Sequence, residues 1–432
     1  MKRTYQISQE RALQRFKAAA QKSKQEIQFA LPLPEVVALI GRGLLQVALV
    51  ALRKLGEEMM NWEVNELVGP KHQAHRRGEL QRWGTQKGYC VVSGQKVPLQ
   101  RPRVRDKRQR EVPLGSYQSL QRASLLDEAV WQKIMHGLSM RGYGEVVREL
   151  EQAYGIEKSS VSEHFCGGSR QRLQMLETRC VKSQQFCALF LDGTYFQKQQ
   201  LIVALGLNLQ GQKMVLGLRQ GATENATVVR QLLEDLQERG LDFAVPRLYV
   251  LDGGKALATA LRKVAGPCAQ IQRCQVHKIR NVTAHLSEEH QSAIRCKLRN
   301  AYATREYVDA KRALDSLLHQ LMHLNPSAAR SLEEGLEETL TVHRLRVPDK
   351  LREKLASTNI IESAFSTVET VCRNVKHWQD GDQRLRWVAS ALLWAESRWN
   401  RIHAYQQIPL LVKELELALL KKLPLRRASV AS

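Results

Sequence analysis

The chain has 432 residues, too many for one ordinary hydrophobic core, so two to four structural units are expected. Its 43% hydrophobic content is ample for packing and argues against a disordered chain, while a formal net charge of +23 points to a polyanionic partner, most often nucleic acid. No apolar leader opens the sequence, the longest candidate membrane run "LLQVALVAL" is nine residues, and eight cysteines show no framework spacing; a cytoplasmic, nucleoid-associated protein with free thiols and no membrane attachment is expected.

The charge surplus is uneven. Residues 1–182 carry 31 Lys/Arg against 18 Asp/Glu, whereas residues 283–350 carry 10 of each, so the basic face is expected outside 283–350. Residues 1–60 read as helices of mixed charge. Within them "PEVVALIGRGLLQVALVALRKLGEEM" has Pro at a helix start and a broad apolar face that suits either a core or a dimer seam, with core the expected use.

Residues 61–115 change character. Two β-prone runs, "GYCVV" and "KVPLQ", flank "SGQ" and predict a small hairpin. Its exit, "RPRVRDKRQR", sets Arg101, Arg103, Arg105, Lys107, Arg108 and Arg110 within ten residues. Arginine at every second position of an extended chain projects from one face, the array a phosphate backbone would meet; a solvated surface also carries such runs. Residues 116–182 look helix-turn-helix-like: "YGEVVRELEQAY" is amphipathic, "GIEK" makes a turn, and "SSVSEHFCGGSRQRL" begins a second helix. Lys158, Ser159, Ser160 and Ser162 would stand at its start, where groove readers touch bases and phosphates, although many such helix pairs bind nothing.

Residues 183–282 alternate between apolar runs and amphipathic stretches. "FCALFLDGTYF", "LIVALGLNLQ" and "KMVLGLRQG" are successive strand candidates; "TENATVVRQLLEDLQERG" is a helix closed by Gly240; "RLYVLDGG", "KALATALRKV" and "CAQIQRCQV" follow as strand, helix and strand. Residues 283–350 read as an all-helical insertion, and helix resumes from Asn359 and again in "RLRWVASALLWAESRW". Residues 183–282 plus 351–400 therefore form one α/β domain with a mixed five-stranded sheet, followed by a helical tail at 401–432.

Asp192 in "LFLDGT" and Asp252 in "YVLDGG" each end an apolar strand and precede Gly. Asp-Gly is also a common turn signal. Yet a lone carboxylate at the end of an apolar strand is costly, and two on neighbouring strands repel unless a divalent cation lies between them. Mg²⁺ suits oxygen ligands of this kind, and two ions roughly 3.5–4 Å apart assist an in-line phosphoryl displacement. A third acid is Glu362 in "STNIIES", 110 residues beyond Asp252 and past the whole helical insertion. By spacing alone Glu362 equally completes a capping box with Asn359. Glu369, seven residues on, is the reserve candidate.

These motifs resemble a known family. "LFLDGTYF", "GATEN", "ERGL", "YVLDGGKAL", "QRCQVHKIRN", "STNIIES" and "RNVKHWQDGDQRLRWV" occur in order over roughly residues 60 to 405, as in Mutator-type DDE transposases of bacterial insertion sequences. The resemblance implies an RNase H-like catalytic domain, with Asp192, Asp252 and Glu362 as catalytic ligands of two Mg²⁺ ions, for which Mn²⁺ would substitute. "RCQVH" resembles the family's Cys-x-x-His signature; Cys274 and His277 are expected to position the active site rather than hold zinc, for which no second ligand pair stands at suitable spacing. Beside them Lys278 and Arg280 are candidate phosphate contacts. Trp378 and Trp387 have the chemistry to stack on a flipped base, although core packing is the expected role. The implied activity is Mg²⁺-dependent cleavage of double-stranded DNA at terminal inverted repeats and transfer to target DNA, by a homodimer or larger assembly. The rival expectation is a non-catalytic DNA-binding repressor or domesticated derivative; a nuclease without strand transfer is a third.

Overall fold

The computed structural model describes the chain except for residues 1, 28–31, 35, 37–43, 72–78, 93–94, 122, 142, 144–156, 197–198, 222–225, 374, 376, 379–380 and 423–432. Two compact units result, Met1–Gly168 and Ser169–Ser432.

In the first unit, helices α1 (Lys2–Lys22) and α2 (Leu44–Val68) precede strands β1 (Leu80–Val92), β2 (Gln95–Asp106) and β3 (Glu111–Val112). Helices α3 (Gly115–Leu120), α4 (Ala123–Met135) and the start of α5 (Lys158–Glu177) follow. The three strands form one antiparallel sheet. The hairpin is longer than its sequence predicts, because "RPRVR" lies inside β2 rather than beyond it. Strand β3 pairs only with Val104 and Arg105, so β2 is an edge strand at Pro98 and Pro102, where a missing N–H is tolerated. Leu49, Met60 and Val64 of α2 pack with Val97, Leu99 and Val104 of β2; of the described residues in the apolar run read as core, Leu49 joins this cluster, and residues 37–43 of that run lie outside those described. Buried Glu63 accepts from the N–H groups of Gly115 and Ser116 at 2.9 and 2.8 Å and from the Ser116 hydroxyl at 2.6 Å. Its charge is thereby compensated by the free N–H groups that open α3.

The second unit holds β4 (Phe186–Phe196), β5 (Gln199–Asn208), β6 (Lys213–Gly221), α6 (Ala226–Glu238), β7 (Arg247–Leu251), α7 (Lys255–Ala265) and β8 (Ala269–Arg273). The strand order is β6-β5-β4-β7-β8. Short connections make β4, β5 and β6 an antiparallel meander, while the helical crossovers α6 and α7 bring β7 and β8 in parallel to β4. Val229, Leu232, Leu233 and Leu236 of α6 and Leu257 and Leu261 of α7 join Leu189, Leu191, Ile202, Tyr249 and Leu251 in one core. The fifth strand predicted through Val276 ends at Arg273, because Cys274 caps helix α8 (Gln275–Thr283).

Helices α9 (Glu288–Ala303), α10 (Tyr307–Leu324), α11 (Pro326–Glu333), α12 (Leu336–Thr339) and α13 (Thr341–Arg344) make up the insertion, whose core also takes in Val282 of α8. After α14 (Asp349–Leu355), helix α15 (Asn359–Cys372) buries Ile361, Ala364, Phe365, Val368, Val371 and Cys372, a stripe at helical spacing that packs on β4 and α16 (Gly381–Glu396). Helix α17 (Ile408–Lys422) ends the described chain.

Side chains close both sheet edges. At β8, the Thr341 hydroxyl donates to Ile271 O at 2.6 Å, and Gln272 exchanges hydrogen bonds with Thr339 O and Val342 N, both at 2.9 Å. At β6, Val215 N donates to Glu396 Oε2 at 2.5 Å while Arg179, paired with Glu396, donates to Val215 O at 2.8 Å. No helix among the described residues is long and apolar enough to cross a membrane.

Candidate active site

Two neighbouring parallel strands, β7 and β8, finish level with one another beside β4, which runs on past them to Phe196; Asp192, expected at the end of its strand, lies inside β4 and pairs with Val203. Leu191 of β4 pairs with Leu251 of β7, and Leu251 pairs with Arg273 of β8. The next residues along, Asp192, Asp252 and Cys274, therefore stand in a row at one end of the sheet, adjacent strands being about 4.8 Å apart. This is the sheet edge where ligands bind in open α/β folds. The turn after Asp252 demands glycine. Gly253 has φ +111°, and a Cβ there would lie 2.4 Å from Nε of Arg273. Gly254 N donates to Asp252 Oδ1 at 2.8 Å, and Gly193 N to Asp192 Oδ1 at 2.9 Å.

Glu362 reaches this row from the first turn of α15. It makes no capping box with Asn359. The helix begins at Asn359 as expected, but its N-cap is Thr358, and Asn359 is exposed. The Glu362 carboxylate instead accepts from the Thr358 hydroxyl at 3.0 Å and lies 3.7 Å from His277 Nε2. Glu369, two turns on, is exposed.

The electrostatics identify a gathering of like charge. Burial, and next the charge of Asp252, push the Asp192 carboxyl up to about 8, with Glu362 adding to the effect and His277 opposing it. Hydrogen bonding to the Cys274 sulfur, together with the charges of Cys274, Asp192 and Glu362, holds His277 protonated up to about 9 in spite of its burial. Burial alone would raise the Cys274 thiol, but hydrogen bonds from His277 and Thr358 bring it below its ordinary value. Carboxylate oxygens on two adjacent strands, one of them driven towards neutrality by its burial and then by the charge of the other, fit a hard divalent cation. Among the described residues, the group of three whose ligand atoms lie within 4.8 Å of one another is Cys274, His277 and Glu362, not the three acids, and its sulfur and nitrogen suit a softer ion.

Other expected contacts fare differently. Lys278 does not face solvent. It is 1% exposed, and its ammonium donates to the carbonyls of Ser331 and Glu334 at 2.5 and 2.6 Å, capping α11 from below. Phosphate contact by Lys278 is thus corrected to a structural role; Arg280 on the same helix is exposed. Arg101 and Arg103 both pair with Glu111, at 2.8 and 2.7 Å, and Arg105 stacks over Trp83 at 4.6 Å. Arg110 pairs with Asp106 at 2.8 Å, and Lys107 and Arg108 are exposed in the turn after β2. Lys158, Ser159, Ser160 and Ser162 do open α5, with Lys158 and Ser159 exposed; the preceding helix expected for a helix-turn-helix falls mostly at 144–156, outside the described residues. Trp378 packs edge-on between Phe196 and Trp387, with centroids at 5.2 and 6.3 Å, which is core packing.

Sequence reasoning missed Thr358. It lies in "STNIIES" just before the helix that carries Glu362, but its partners Cys274 and His277 are 84 and 81 residues away, and no local pattern announces them.

Comparison with known proteins places the chain in a family. Residues 41–401 match the family model "Transposase, Mutator family". The chain is 25% identical over 383 residues to the transposase for insertion sequence element ISRM5 of Rhizobium meliloti, across 85% of this chain and 92% of that protein. It is 29% identical over 273 residues to the transposase for IST2 of Acidithiobacillus ferrooxidans, across 63% and 86%. With the transposase for IS256 in transposon Tn4001 of Staphylococcus aureus it shares 22% identity over 317 residues, across 70% and 78%. The chain belongs to the Mutator family of transposases, proteins of bacterial insertion sequences.

Proposed function

We propose that this transposase cleaves DNA at the terminal inverted repeats of its element and joins the freed ends to target DNA, with Asp192, Asp252 and Glu362 holding divalent metal. The observation that carries the proposal is the in-register pairing of β4 with β7, which sets Asp192 beside Asp252 at the sheet end that Glu362 also faces. A meander of three antiparallel strands followed by two parallel ones is the order of an RNase H-like domain, which supports the same reading. Bound Mg²⁺, or Mn²⁺ in its place, supplies Lewis-acid polarisation of a phosphodiester and a nucleophile at neutral pH.

The protein's own groups prepare that chemistry. Asp192 is buried, which keeps bulk water from screening its charge. Backbone N–H groups fix one oxygen of each aspartate, at Gly193 and Gly254, and leave the other oxygen to be shared. His277 places a cation against Glu362 and Asp192. Cleavage breaks one phosphodiester with water and leaves a 3′-hydroxyl. Transfer exchanges that hydroxyl for the 3′-oxygen of a target phosphodiester, so one ester is made for each one lost. Family resemblance adds an assembly of at least two subunits bridging both element ends, and the +23 charge suits DNA as the partner.

The test is labelled end DNA incubated with the protein and Mg²⁺. Joined product is expected. Cleavage without joining would indicate a nuclease, and a mobility shift with neither would indicate a repressor.

A further inference from the structure

Thr358 occupies the N-cap of α15, a position where a threonine side chain ordinarily accepts from its own helix. Here it makes no such bond. The residue is 0% exposed, and its hydroxyl oxygen lies 3.0 Å from Glu362 Oε1, 3.4 Å from Cys274 Sγ and 3.3 Å from His277 Nδ1. A hydroxyl has one proton to give. It serves Glu362 or Cys274, not both at once.

The backbone around it is tied down. Thr358 N donates to Cys274 Sγ at 3.4 Å, Glu362 N donates to Thr358 O at 3.0 Å, and Gln275 N donates to Ala356 O at 3.0 Å. Cys274 itself continues the strand-end row from Asp192 and Asp252, its N–H bonded to Leu251 O at 2.7 Å. Thr358 therefore connects the one acid that arrives on a helix to the strands that carry the other two. Glutamate has three rotatable side-chain bonds, and a flexible ligand loses affinity unless a neighbour fixes it.

Resting on the reading of Glu362 as a metal ligand, we infer that Thr358 is its positioning residue: the hydroxyl anchors Oε1 to the Cys274–His277 turn and directs Oε2 to the metal.

Thr358→Val keeps the shape and removes the hydroxyl; Thr358→Ser keeps the hydroxyl and removes a methyl. Mn²⁺ binding to the DNA-free protein, followed by electron paramagnetic resonance, gives a readout independent of turnover. Thr358→Val is expected to weaken Mn²⁺ binding ~10–100-fold and to raise the Mg²⁺ concentration for half-maximal cleavage by a similar factor, with end-DNA affinity unchanged. Thr358→Ser is expected within ~3-fold of the unmodified protein on both measures, the hydroxyl being retained. Unchanged metal dependence in Thr358→Val overturns the inference, even if turnover falls. Equal losses in the Ser and Val variants overturn it too, because they would reflect packing. Should Glu362→Gln retain Mn²⁺ binding and cleavage, the parent reading fails and takes this one with it; a dead Glu362→Gln beside a normal Thr358→Val sinks only the role of Thr358.

Discussion

The basic hairpin of the first unit and the strand-end acids of the second are both dense in charge, yet they handle it in opposite ways. In the hairpin, opposite charges meet. Arg101 and Arg103 share Glu111, and Arg105 lies over Trp83. Partial burial would raise Glu111, but Arg103 and Arg101 outweigh it and hold its carboxyl below the usual range. Beside the ends of β7 and β8 like charges meet, and burial, with the charge of Asp252 next, forces Asp192 far above that range. A fold has no structural reason to gather acids in a buried row. The contrast teaches that the hairpin's charges help to stabilise a fold, whereas the strand-end charges wait for something from outside.

The strongest way to break this comparison is to remove an acid. Asp192→Asn, Asp252→Asn or Glu362→Gln is expected to lower strand transfer by ~10³-fold or more, equivalent to about 4 kcal/mol of transition-state stabilisation, while end binding in a mobility-shift assay persists. Near-normal transfer by any of the three would remove that residue from the site.

Stability against pH sharpens it next. Asp192 titrates near 3.8 when unfolded and near 8 when folded, so the folded state holds the extra proton throughout that window. Metal-free protein should therefore lose stability as pH rises from about 3.8 to about 8. Asp192→Asn should flatten this loss and melt higher than the unmodified protein at pH 8 in chelator. Added Mg²⁺ should restore the unmodified protein most at the alkaline end, and thermal melting across pH would show it.

Effects at the hairpin are smaller. Reversing Arg101, Arg103 and Arg105 to Glu is expected to weaken end-DNA binding ~10–100-fold and to reduce the dependence of log K on log salt by about 2–3. An unchanged salt slope would mean that this strand faces solvent alone. Smallest of all, Glu111→Gln frees two arginines at a stability cost of less than about 1 kcal/mol, since the pairs are partly exposed. It should tighten DNA binding a few-fold in the same titration.

Much of the catalytic unit was legible because buried strands write themselves as continuous apolar runs. "FCALFLDGTYF" and "KMVLGLRQG" coincide with β4 and β6 to the residue. Asp-Gly after an apolar run marked the acids for the same reason, although only Asp252 follows the end of its strand; Asp192 lies inside β4, which runs on through Gly193 to Phe196. Partners that come from far along the chain were not visible. Lys278 resembles any basic residue beside a motif until Ser331 and Glu334, 53 and 56 residues away, fold over it. Likewise "STNIIES" carries the spacing of a capping box, and only Cys274 and His277, brought near by β8 and α8, draw the carboxylate away from its own helix. The hairpin was underestimated because Arg and Pro disguise a strand whose alternation is otherwise weak.

The plugged margins of the five-stranded sheet carry one more consequence. A bare outer strand invites a second molecule to add itself and continue the ladder, the first step towards insoluble fibres. Thr341 at β8 and Glu396 of α16 at β6 occupy docking points of those strands with side chains of the same polypeptide. The helical insertion, through Thr341, thus screens the β8 margin, and excising it would bare that strand to a second molecule.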